Sequence, residues 1–481
     1  MSTIIHLADK AESQVKVMIL RVEDDLKSCN LSLAEENYVH RMMDDNPYVV
    51  IWHPDSVSVV VSAIEDKESA TRYQKLRRAG ARVLKYLNSQ HYESFYVESF
   101  LGDESETLAF CEGAVMANYQ FLKYKSSPDY NTVCDVYLRH SDASVEGVTR
   151  LNTLMDAVCW ARDLVNEPVN HLDAQQFAML MSAKVREAGA KTEVFGGDKI
   201  NALKMGGLLA VNAGSSVEPS FTIMEWQPEN PVNERPIVLI GKGIVYDTGG
   251  YSLKTGANMD TMKHDMAGGA AVAATLYAVA KSQMPIHVIA LVPATDNRIG
   301  DGARVPDDVI TMFDGTTVEV KNTDAEGRLI LADALSYAKK YSPEMVFDFA
   351  TLTGAAKVAI GAYGSVVMGN IDDDRYELLE RSGNETYERL VRFPLWTEYG
   401  ESLKSEVADI KNIGAGGAGA ITAGKFLEHF VDYPWMHFDI AGTAFSDKSH
   451  DEICAGGTGV GVRLMMHFFS LLCQNTDPTM I

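Results

Sequence analysis

Short apolar runs alternate with helical segments along the second half of the chain, and this alternation limits the folds it can adopt. The run PIVLIG (236–241) is followed by the Ala-rich helical segment 266–282, the run IHVIALVPA (286–294), the helical segment 329–341 and the run MVFDFAT (345–351). Buried parallel strands are continuous apolar runs, and each needs a crossover connection, usually a helix. The chain is therefore predicted to be an α/β protein with a mainly parallel, mixed sheet covered by helices on both faces. Sites in such sheets lie at the carboxyl ends of the strands.

The first part of the chain has a less regular pattern and is predicted to form a smaller α/β domain. Three strand-like runs rich in β-branched and aromatic residues surround an amphipathic helical segment at 67–87. A long helical segment follows and ends before Pro168, because the residue preceding a proline disfavours the helix. We predict an N-terminal domain over 1–145 and a larger domain over 146–481, linked by a helix at about 146–167.

The charge of the chain excludes some partners. Its 43 Lys and Arg against 66 Asp and Glu give a formal net charge of −23, which repels nucleic-acid phosphates and anionic membranes. We therefore expect no nucleic-acid partner and no membrane. The six cysteines form no CxxC pair, and the start MSTIIHLADKAES lacks a basic run before an apolar core. These features predict a cytoplasmic protein without a signal peptide.

Charged residues collect in three segments near predicted strand ends or helix starts: GKGIVYDTGGYSLK (241–254), MDTMKHDMAGGAAV (259–272) and NTDAEGRL (322–329). Each has a structural explanation when taken alone. The first could be a Gly-rich turn, Asp265 could cap a helix, and Asp324 could cap the helix 329–341. Gly327 weakens the last explanation, because glycine is a poor residue for the first turn of a helix.

Taken together, the segments indicate a metal-dependent hydrolytic site. They supply four carboxylates and several cations: Asp247, Asp265, Asp324 and Glu326, with Lys242, Lys254 and Arg328. Four neighbouring carboxylates cannot all stay ionised without cations. Two divalent ions would neutralise them and activate water for hydrolysis, and Lys254 and Arg328 would stabilise developing negative charge. Lys242 and Asp247 face oppositely on a straight strand, so one site for both requires a bend near Gly243.

The strings KGIVYDTGG, MKHDMAGGAA and NTDAEGRL resemble the leucyl aminopeptidase family of two-metal exopeptidases, also called cytosol aminopeptidases. The segments ARDLVNEPVN, DFATLTGA, ADIKNIG, GAITAGKFL and HFDIAGTAF are similar to family segments as well. The resemblance covers Cys111 to the C-terminus and makes the larger domain catalytic. It gives no match for the first ~110 residues, whose role stays open.

The resemblance implies roles for individual residues. Two ions (Zn, Mn or Co) would be held by five side chains: Lys242, Asp247, Asp265, Asp324 and Glu326. Lys254 would polarise the scissile carbonyl, and Arg328 would hold a bicarbonate that acts as general base. Five further positions match family positions that line the first side-chain pocket or contact substrate: Met262, Asn322, Thr351, Leu352 and Gly354. A lysine acting as a neutral ligand needs a strongly lowered pKa, which two adjacent dications can supply.

The implied activity is the release of N-terminal residues, preferably apolar ones such as leucine, from short peptides. The family also implies a homohexamer. Tyr246 and Thr248 flank Asp247 where many relatives have Phe and Ser. This departure removes no ligand but leaves the substrate preference open.

Three alternatives need tests of their own. GAGGAG (414–419) satisfies the dinucleotide pattern GxGxxG, although no apolar strand precedes it. A carboxylate-rich two-metal site could also serve a phosphoesterase. A non-enzymatic regulator is the third alternative, and the complete set of ligands argues against it. No histidine lies in an HExxH motif, which excludes the zincin type of metalloprotease.

Overall fold

The structure is a computed structural model, and it describes residues 3–10, 13–21, 26–43 and 46–476. Residues 1 and 481, the outer limits of the predicted domains, lie outside this part. The chain divides into two compact units within one long helix, after Cys159. The first unit runs up to this point and also takes in 385–387 and 447–455, and the rest of the chain forms the second unit.

The first unit is built on a six-stranded sheet with helices. Its strands are β1 (Ile4–Ala8), β2 (Val15–Leu20), β3 (Tyr48–Trp52), β4 (Val57–Ser62), β5 (Ser94–Ser99) and β6 (Asp135–Arg139). Its helices are α1 (Leu33–Met43), α2 (Ser69–Ser89), α3 (Glu104–Ala117) and the first part of α4 (Val145–Asn166), with a 3-10 turn at Leu26–Cys29. The strand order is β1-β6-β5-β2-β4-β3, and every neighbouring pair is parallel except β3 with β4.

The second unit contains the remaining elements. Its strands are β7 (Lys191–Phe195), β8 (Ser220–Trp226), β9 (Ile237–Gly241), β10 (Gly243–Asp247), β11 (Val288–Asn297), β12 (Val309–Thr311), β13 (Thr317–Glu319), β14 (Met345–Ala350), β15 (Ser365–Gly369), β16 (Leu390–Arg392), β17 (Ile410–Lys411), β18 (Trp435–Asp439), β19 (Phe445–Ser446) and β20 (Gly456–Gly457). Its helices are α5 (Ala174–Glu187), α6 (Gly197–Ala202), α7 (Gly206–Asn212), α8 (Gly256–Met259), α9 (Ala267–Lys281), α10 (Gly327–Ala338), α11 (Gly354–Ile360), α12 (Asp373–Thr386), α13 (Glu398–Glu401), α14 (Gly419–Glu428) and α15 (Val462–Thr476), with 3-10 turns at Met262–His264 and Lys339–Tyr341.

A nine-stranded mixed sheet forms the centre of the second unit. Its order is β16-β15-β18-β14-β9-β11-β8-β7, and β10 pairs with β11. The run β18-β14-β9-β11 is parallel. Three pairs are antiparallel: β8 with β11, β7 with β8, and β15 with β18. The predicted mainly parallel, mixed sheet is therefore confirmed.

Helices cover both faces of this sheet, as successive side chains of one strand show. Val346 of β14 belongs to the apolar cluster that contains Leu331 and Leu335 of α10. The next residue, Phe347, points to the other face and meets the ring of Phe468 of α15 at a centroid distance of 5.4 Å. Both faces are apolar because a parallel sheet needs cover on both sides. The carboxyl ends of β9, β11 and β14 are left at one edge.

Two observations bear on the alternatives. The segment GAGGAG (414–419) follows β17, a two-residue strand of the separate three-stranded sheet β12-β13-β17, and its last glycine begins α14. It therefore does not follow a strand of the large parallel sheet, as the turn of a dinucleotide-binding βαβ unit does. None of the helices in the described part of the chain combines the length and the apolarity that a membrane span requires.

Candidate metal centre

A break between two strands brings Lys242 into the site. Strand β9 ends at Gly241 and β10 begins at Gly243, so the chain bends at Lys242. The Lys242 backbone is fixed on both sides, because its N–H donates to the Phe349 carbonyl at 3.0 Å and its carbonyl accepts from Gly269 N–H at 2.9 Å. The bend that one shared site for Lys242 and Asp247 requires is therefore present.

Three buried carboxylates meet at the edge of the sheet. Asp247 ends β10, Asp265 lies two residues before α9, and Glu326 directly precedes α10. One oxygen of each lies within 4.8 Å of those of the other two. The Lys242 Nζ is 2.8 Å from both oxygens of Asp265 and 2.8 Å from Glu326 Oε1. Residues far apart in the sequence thus form one charged cluster.

A second lysine joins Asp324 to this cluster. Lys254 Nζ lies 2.8 Å from Asp247 Oδ2 and 2.6 Å from Asp324 Oδ1. The turn that leads from Asp247 to Lys254 contains Gly249 and Gly250, with φ values of 86° and 63°. Backbone of this left-handed type favours glycine, because a Cβ atom would be strained there.

The hydroxyl and the amide of Thr323 hold the two acidic segments together. Thr323 Oγ1 donates to the Gly249 carbonyl at 2.6 Å and accepts from Ser252 N–H at 2.7 Å, and Thr323 N–H donates to Ser252 Oγ at 3.0 Å. Asp324 follows directly and is therefore held beside the turn that carries Lys254.

The site lacks enough positive charge for all its carboxylates. Burial raises the pKa of Asp265 well above its ordinary value, and burial together with the charge of Glu326 raises the pKa of Asp247. Burial also raises the pKa of Asp324 to about 6. Burial acts on Glu326 in the same direction, but Lys242 and Lys254 outweigh it and bring its pKa to about 2. Three carboxyl groups are thus driven towards the neutral form, as expected for acids that share a site without further cations.

Two carboxylate oxygens of the cluster have an ion pair with a lysine but no hydrogen bond of good geometry among the described residues. These are Asp265 Oδ2 and Asp324 Oδ1. Buried acceptors are nearly always satisfied in folded proteins. Carboxylate oxygens held only by lysine ammonium groups are the kind of ligand that hard or borderline divalent cations take.

In the absence of ions, Lys242 is held as an ammonium. Burial alone would lower its pKa, but the charges of Asp265, Glu326 and Asp247 outweigh burial and raise it. A neutral amine at this position requires added positive charge at the same carboxylates. The predicted role of Lys242 as a ligand therefore depends on the ions themselves.

Arg328 lies in the first turn of α10 and is buried. Its Nη1 donates to the Asn412 carbonyl at 2.8 Å, and its Nε has no hydrogen-bond partner among the described residues. Burial lowers its pKa to about 10, which still leaves it charged at neutral pH. The unsatisfied Nε–H is a donor that a small anion could use.

The helix-cap explanations for Asp265 and Asp324 do not hold. Helix α9 begins at Ala267 after Met266, α10 begins at Gly327 after Glu326, and neither preceding side chain makes a capping bond. The segment at Asp324 is a turn rather than an extended strand, and Arg328 is helical.

The predicted substrate residues lie at different distances from the cluster. Thr351 Oγ1 donates to Asp265 Oδ1 at 2.7 Å, and Asn322 Oδ1 accepts from Asp324 N–H at 2.8 Å. The other three make no hydrogen bond or ion pair with the four carboxylates of the centre among the described contacts. Met262 lies in the 3-10 turn before Asp265, and Leu352 and Gly354 follow β14.

Several side chains that bind the backbone around the centre were not predicted from the sequence. Asn412 Nδ2 donates to the Asn322 carbonyl at 2.7 Å, while its Oδ1 accepts from Lys321 N–H at 2.8 Å. Arg304 Nη2 donates to the Thr323 carbonyl at 2.7 Å. Asn412 lies in the family-like string ADIKNIG. Membership of that string is the signal in the sequence that could have drawn attention to Asn412.

Comparison with known proteins decides the family. The profile described as "Cytosol aminopeptidase family, catalytic domain" matches residues 159–466, which is more than half of the chain.

The chain belongs to the cytosol aminopeptidase family. This cytosol aminopeptidase family member is a metal-dependent aminopeptidase that acts on peptides, which confirms the predicted family and enzyme class. Membership of this family favours the aminopeptidase over the phosphoesterase and over a purely regulatory role.

Curated relatives agree over most of the chain. The probable cytosol aminopeptidase of Clostridium perfringens is 36% identical over 472 residues, 95% of this chain and 93% of the relative. That of Desulfotalea psychrophila is 41% identical over 421 residues, 85% of this chain and 83% of the relative. The first ~110 residues, which gave no match by motif, therefore lie largely within aligned regions.

Solved structures share the fold of this cytosol aminopeptidase family member. The bottromycin maturation enzyme BotP in complex with Mn has a TM-score of 0.86 at 29% identity, covering 96% of this chain and 100% of BotP. A mutant of tomato leucine aminopeptidase has a TM-score of 0.85 at 26% identity, covering 97% of this chain and 96% of the tomato chain. The likeness extends over both units.

Proposed function

We propose that this aminopeptidase uses two divalent metal ions, held by five side chains: Lys242, Asp247, Asp265, Asp324 and Glu326. The observation that supports the proposal is the cluster of three buried carboxylates, one oxygen of each lying within 4.8 Å of those of the other two, with Asp324 joined to it through Lys254. Carboxylate oxygens with one amine suit Mn, Zn or Co, and BotP, a similar structure, is described with Mn. Two such ions supply Lewis acidity that lowers the pKa of water and polarises a carbonyl group.

Lys254 is proposed to bind the carbonyl oxygen of the scissile bond. Its ammonium lies between Asp247 and Asp324 at 2.8 and 2.6 Å, and its side chain is 15% exposed, so one face is open to a ligand. A fixed positive charge here stabilises the negative charge that develops on that oxygen. Burial lowers the pKa of Lys254, but Asp247 and Glu326 outweigh it and raise the pKa above its usual value. The side chain therefore stays charged at neutral pH.

Arg328 is proposed to hold a bicarbonate ion that serves as general base. The unsatisfied Nε–H of this buried guanidinium supports the proposal, because guanidinium binds planar oxyanions with paired donors. Its Nη1 is already held by the Asn412 carbonyl, so the orientation of the group is fixed before an anion binds. No histidine needs to act as the base in this arrangement.

The substrates are proposed to be short peptides with an apolar first residue such as leucine. Five residues would line or border the first side-chain pocket: Met262, Asn322, Thr351, Leu352 and Gly354. Methionine adapts its shape to apolar ligands. We also propose a cytoplasmic homohexamer with a catalytic domain over 146–481 and an N-terminal domain over 1–145, as the family resemblance implies.

Reconstitution with metal tests the activity. The protein is stripped with a chelator, supplied with Mn, Zn or Co, and assayed with the p-nitroanilides of leucine, methionine, alanine and glutamate. We expect cleavage only with metal, and faster cleavage of the apolar residues. N-acetyl-leucine p-nitroanilide is the control, because it lacks the free α-amine and should not be cleaved. Activity on bis(p-nitrophenyl) phosphate, with none on any amide, would favour the phosphoesterase instead.

Glu326→Ala tests the proposed site. The change removes a buried carboxylate that contacts Lys242 at 2.8 Å, and it should lower kcat/KM at least about 100-fold with weaker metal binding. Glu225→Ala is the matched control, because Glu225 pairs with His287 at 2.9 Å on β8 and does not belong to the cluster. Full activity of Glu326→Ala at limiting metal would refute the assignment of the ligands.

A further inference from the structure

Asn297 is the last residue of β11, and its side chain is fully buried behind the carboxylates. Its Nδ2 donates to Asp247 Oδ1 at 2.8 Å and to the Thr323 carbonyl at 3.1 Å, and it lies 3.5 Å from Glu326 Oε2. One neutral amide therefore reaches two of the proposed ligands and the residue before a third.

The orientation of this amide is set by the carboxylates. Its Oδ1 is buried and has no hydrogen-bond partner among the described residues. A buried acceptor without a partner is unfavourable. Rotating the amide by 180° would place Oδ1 against the oxygens of Asp247, so the observed orientation is the better one despite this cost. The side chain thus gives up one acceptor in order to direct its donors at the site.

The contacts divide the oxygens of Asp247 into two kinds. Oδ1 accepts from both Gly249 N–H at 2.9 Å and Asn297 Nδ2 at 2.8 Å. Oδ2 forms an ion pair with Lys254 Nζ at 2.8 Å. Glu326 is divided in the same way, with Oε2 towards Asn297 and Oε1 towards Lys242. In Asp247, one oxygen is fixed by neutral donors and the other faces a lysine; in Glu326, Oε2 lies 3.5 Å from the same amide and Oε1 faces the other lysine.

We propose that Asn297 is a positioning residue for the metal centre, and that it orients Asp247 and Glu326 so that Oδ2 and Oε1 face the ions. A neutral donor suits this task because, unlike a lysine, it adds no charge that would compete with the ions for the carboxylates. Hydrogen bonds to ligating carboxylates fix their orientation, and their loss weakens metal binding. This inference rests on the proposed function.

Titration of the chelated protein with Mn²⁺, followed by calorimetry, tests the proposal. Asn297→Leu keeps the branched shape of the side chain but has no donor and is bulkier, and we expect its dissociation constant for Mn²⁺ to rise about 10- to 100-fold. The Mn²⁺ concentration for half-maximal activity should rise by the same factor, with activity largely restored at saturation. Asn297→Ser, which leaves space rather than adding bulk, should show the same direction and decides the question if the leucine variant does not fold.

Asn233→Leu is the matched control. Asn233 is also a buried asparagine of the second unit, and it makes three hydrogen bonds to the backbone of Arg235 and His287. Its loss should lower the unfolding temperature and leave the Mn²⁺ affinity unchanged. Wild-type affinity in folded Asn297→Leu or Asn297→Ser would overturn the inference. Absence of Mn²⁺, Zn²⁺ and Co²⁺ binding by the wild-type protein would instead overturn the proposed metal centre.

Discussion

Replacing Gly327 by alanine should separate the stability of this protein from its activity. Gly327 opens α10, and a Cβ atom there would lie 2.5 Å from Cε, 2.7 Å from Nζ and 2.8 Å from Cδ of Lys242. Ordinary van der Waals contact begins at 3.4 Å, so the Lys242 side chain would have to move by about 0.9 Å, the difference between 3.4 and 2.5 Å.

Such a displacement is small for a free lysine and large for this one. Lys242 Nζ is held at 2.8 Å by Asp265 and Glu326 and at 3.2 Å by the Thr351 carbonyl. A shift of about 1 Å in an active-site group costs about 100-fold in rate. The helix itself gains, because alanine is favoured over glycine in a helix by about 0.5–1 kcal/mol. We therefore expect kcat/KM to fall about 100-fold while the unfolding temperature stays near the wild-type value.

The assay is leucine p-nitroanilide hydrolysis at saturating Mn²⁺, with thermal unfolding measured on the same samples. Gly197→Ala is the control, because Gly197 also opens a helix, and the atoms nearest to its Cβ would belong to the flexible side chain of Glu218, at 3.3 Å. This control should keep full activity. The reasoning would be refuted by a folded Gly327→Ala protein with kcat/KM within threefold of wild type.

Two further predictions concern charged groups. Lys254→Met should bind Mn²⁺ at least as tightly as wild type, because Lys254 competes with cations for Asp247 and Asp324. Its kcat should nevertheless fall about 100- to 1,000-fold, because the charge that stabilises the scissile carbonyl oxygen is lost. Calorimetry measures the affinity and steady-state kinetics the kcat, and an unchanged kcat would contradict the role of Lys254. Burial raises the pKa of Asp333 from 3.8 to about 7, so its contribution to the unfolding free energy is complete below about pH 4 and is lost as pH rises through 7. Urea unfolding at pH 5 and pH 8 should show a smaller loss of stability in Asp333→Asn than in wild type, and equal losses would contradict this.

The sequence by itself predicts several of the regular elements and singles out the charged residues of the proposed centre. Apolar runs such as 236–241 and 345–351 predict buried strands because local composition sets the burial of a strand. The carboxylates and lysines stand out because charge beside glycine at strand ends is unusual and because NTDAEGRL is specific to one family. The mainly parallel character of the large sheet also followed from the sequence, since helices that alternate with strands serve as crossover connections between parallel strands.

Only the tertiary structure decided how the charged residues are held. The sequence shows that a glycine lies where a helix begins, at Gly327. It does not show why, because the reason is that the Lys242 side chain passes beside this position. Asn297 carries no charge, and its partners Asp247 and Thr323 lie 50 and 26 residues away. The role of a neutral amide comes from the geometry of its neighbours, whereas a charge can be recognised from residue type alone. The sequence therefore determined which residues could bind metal, and the fold decided which of their oxygens face the lysines of the cluster.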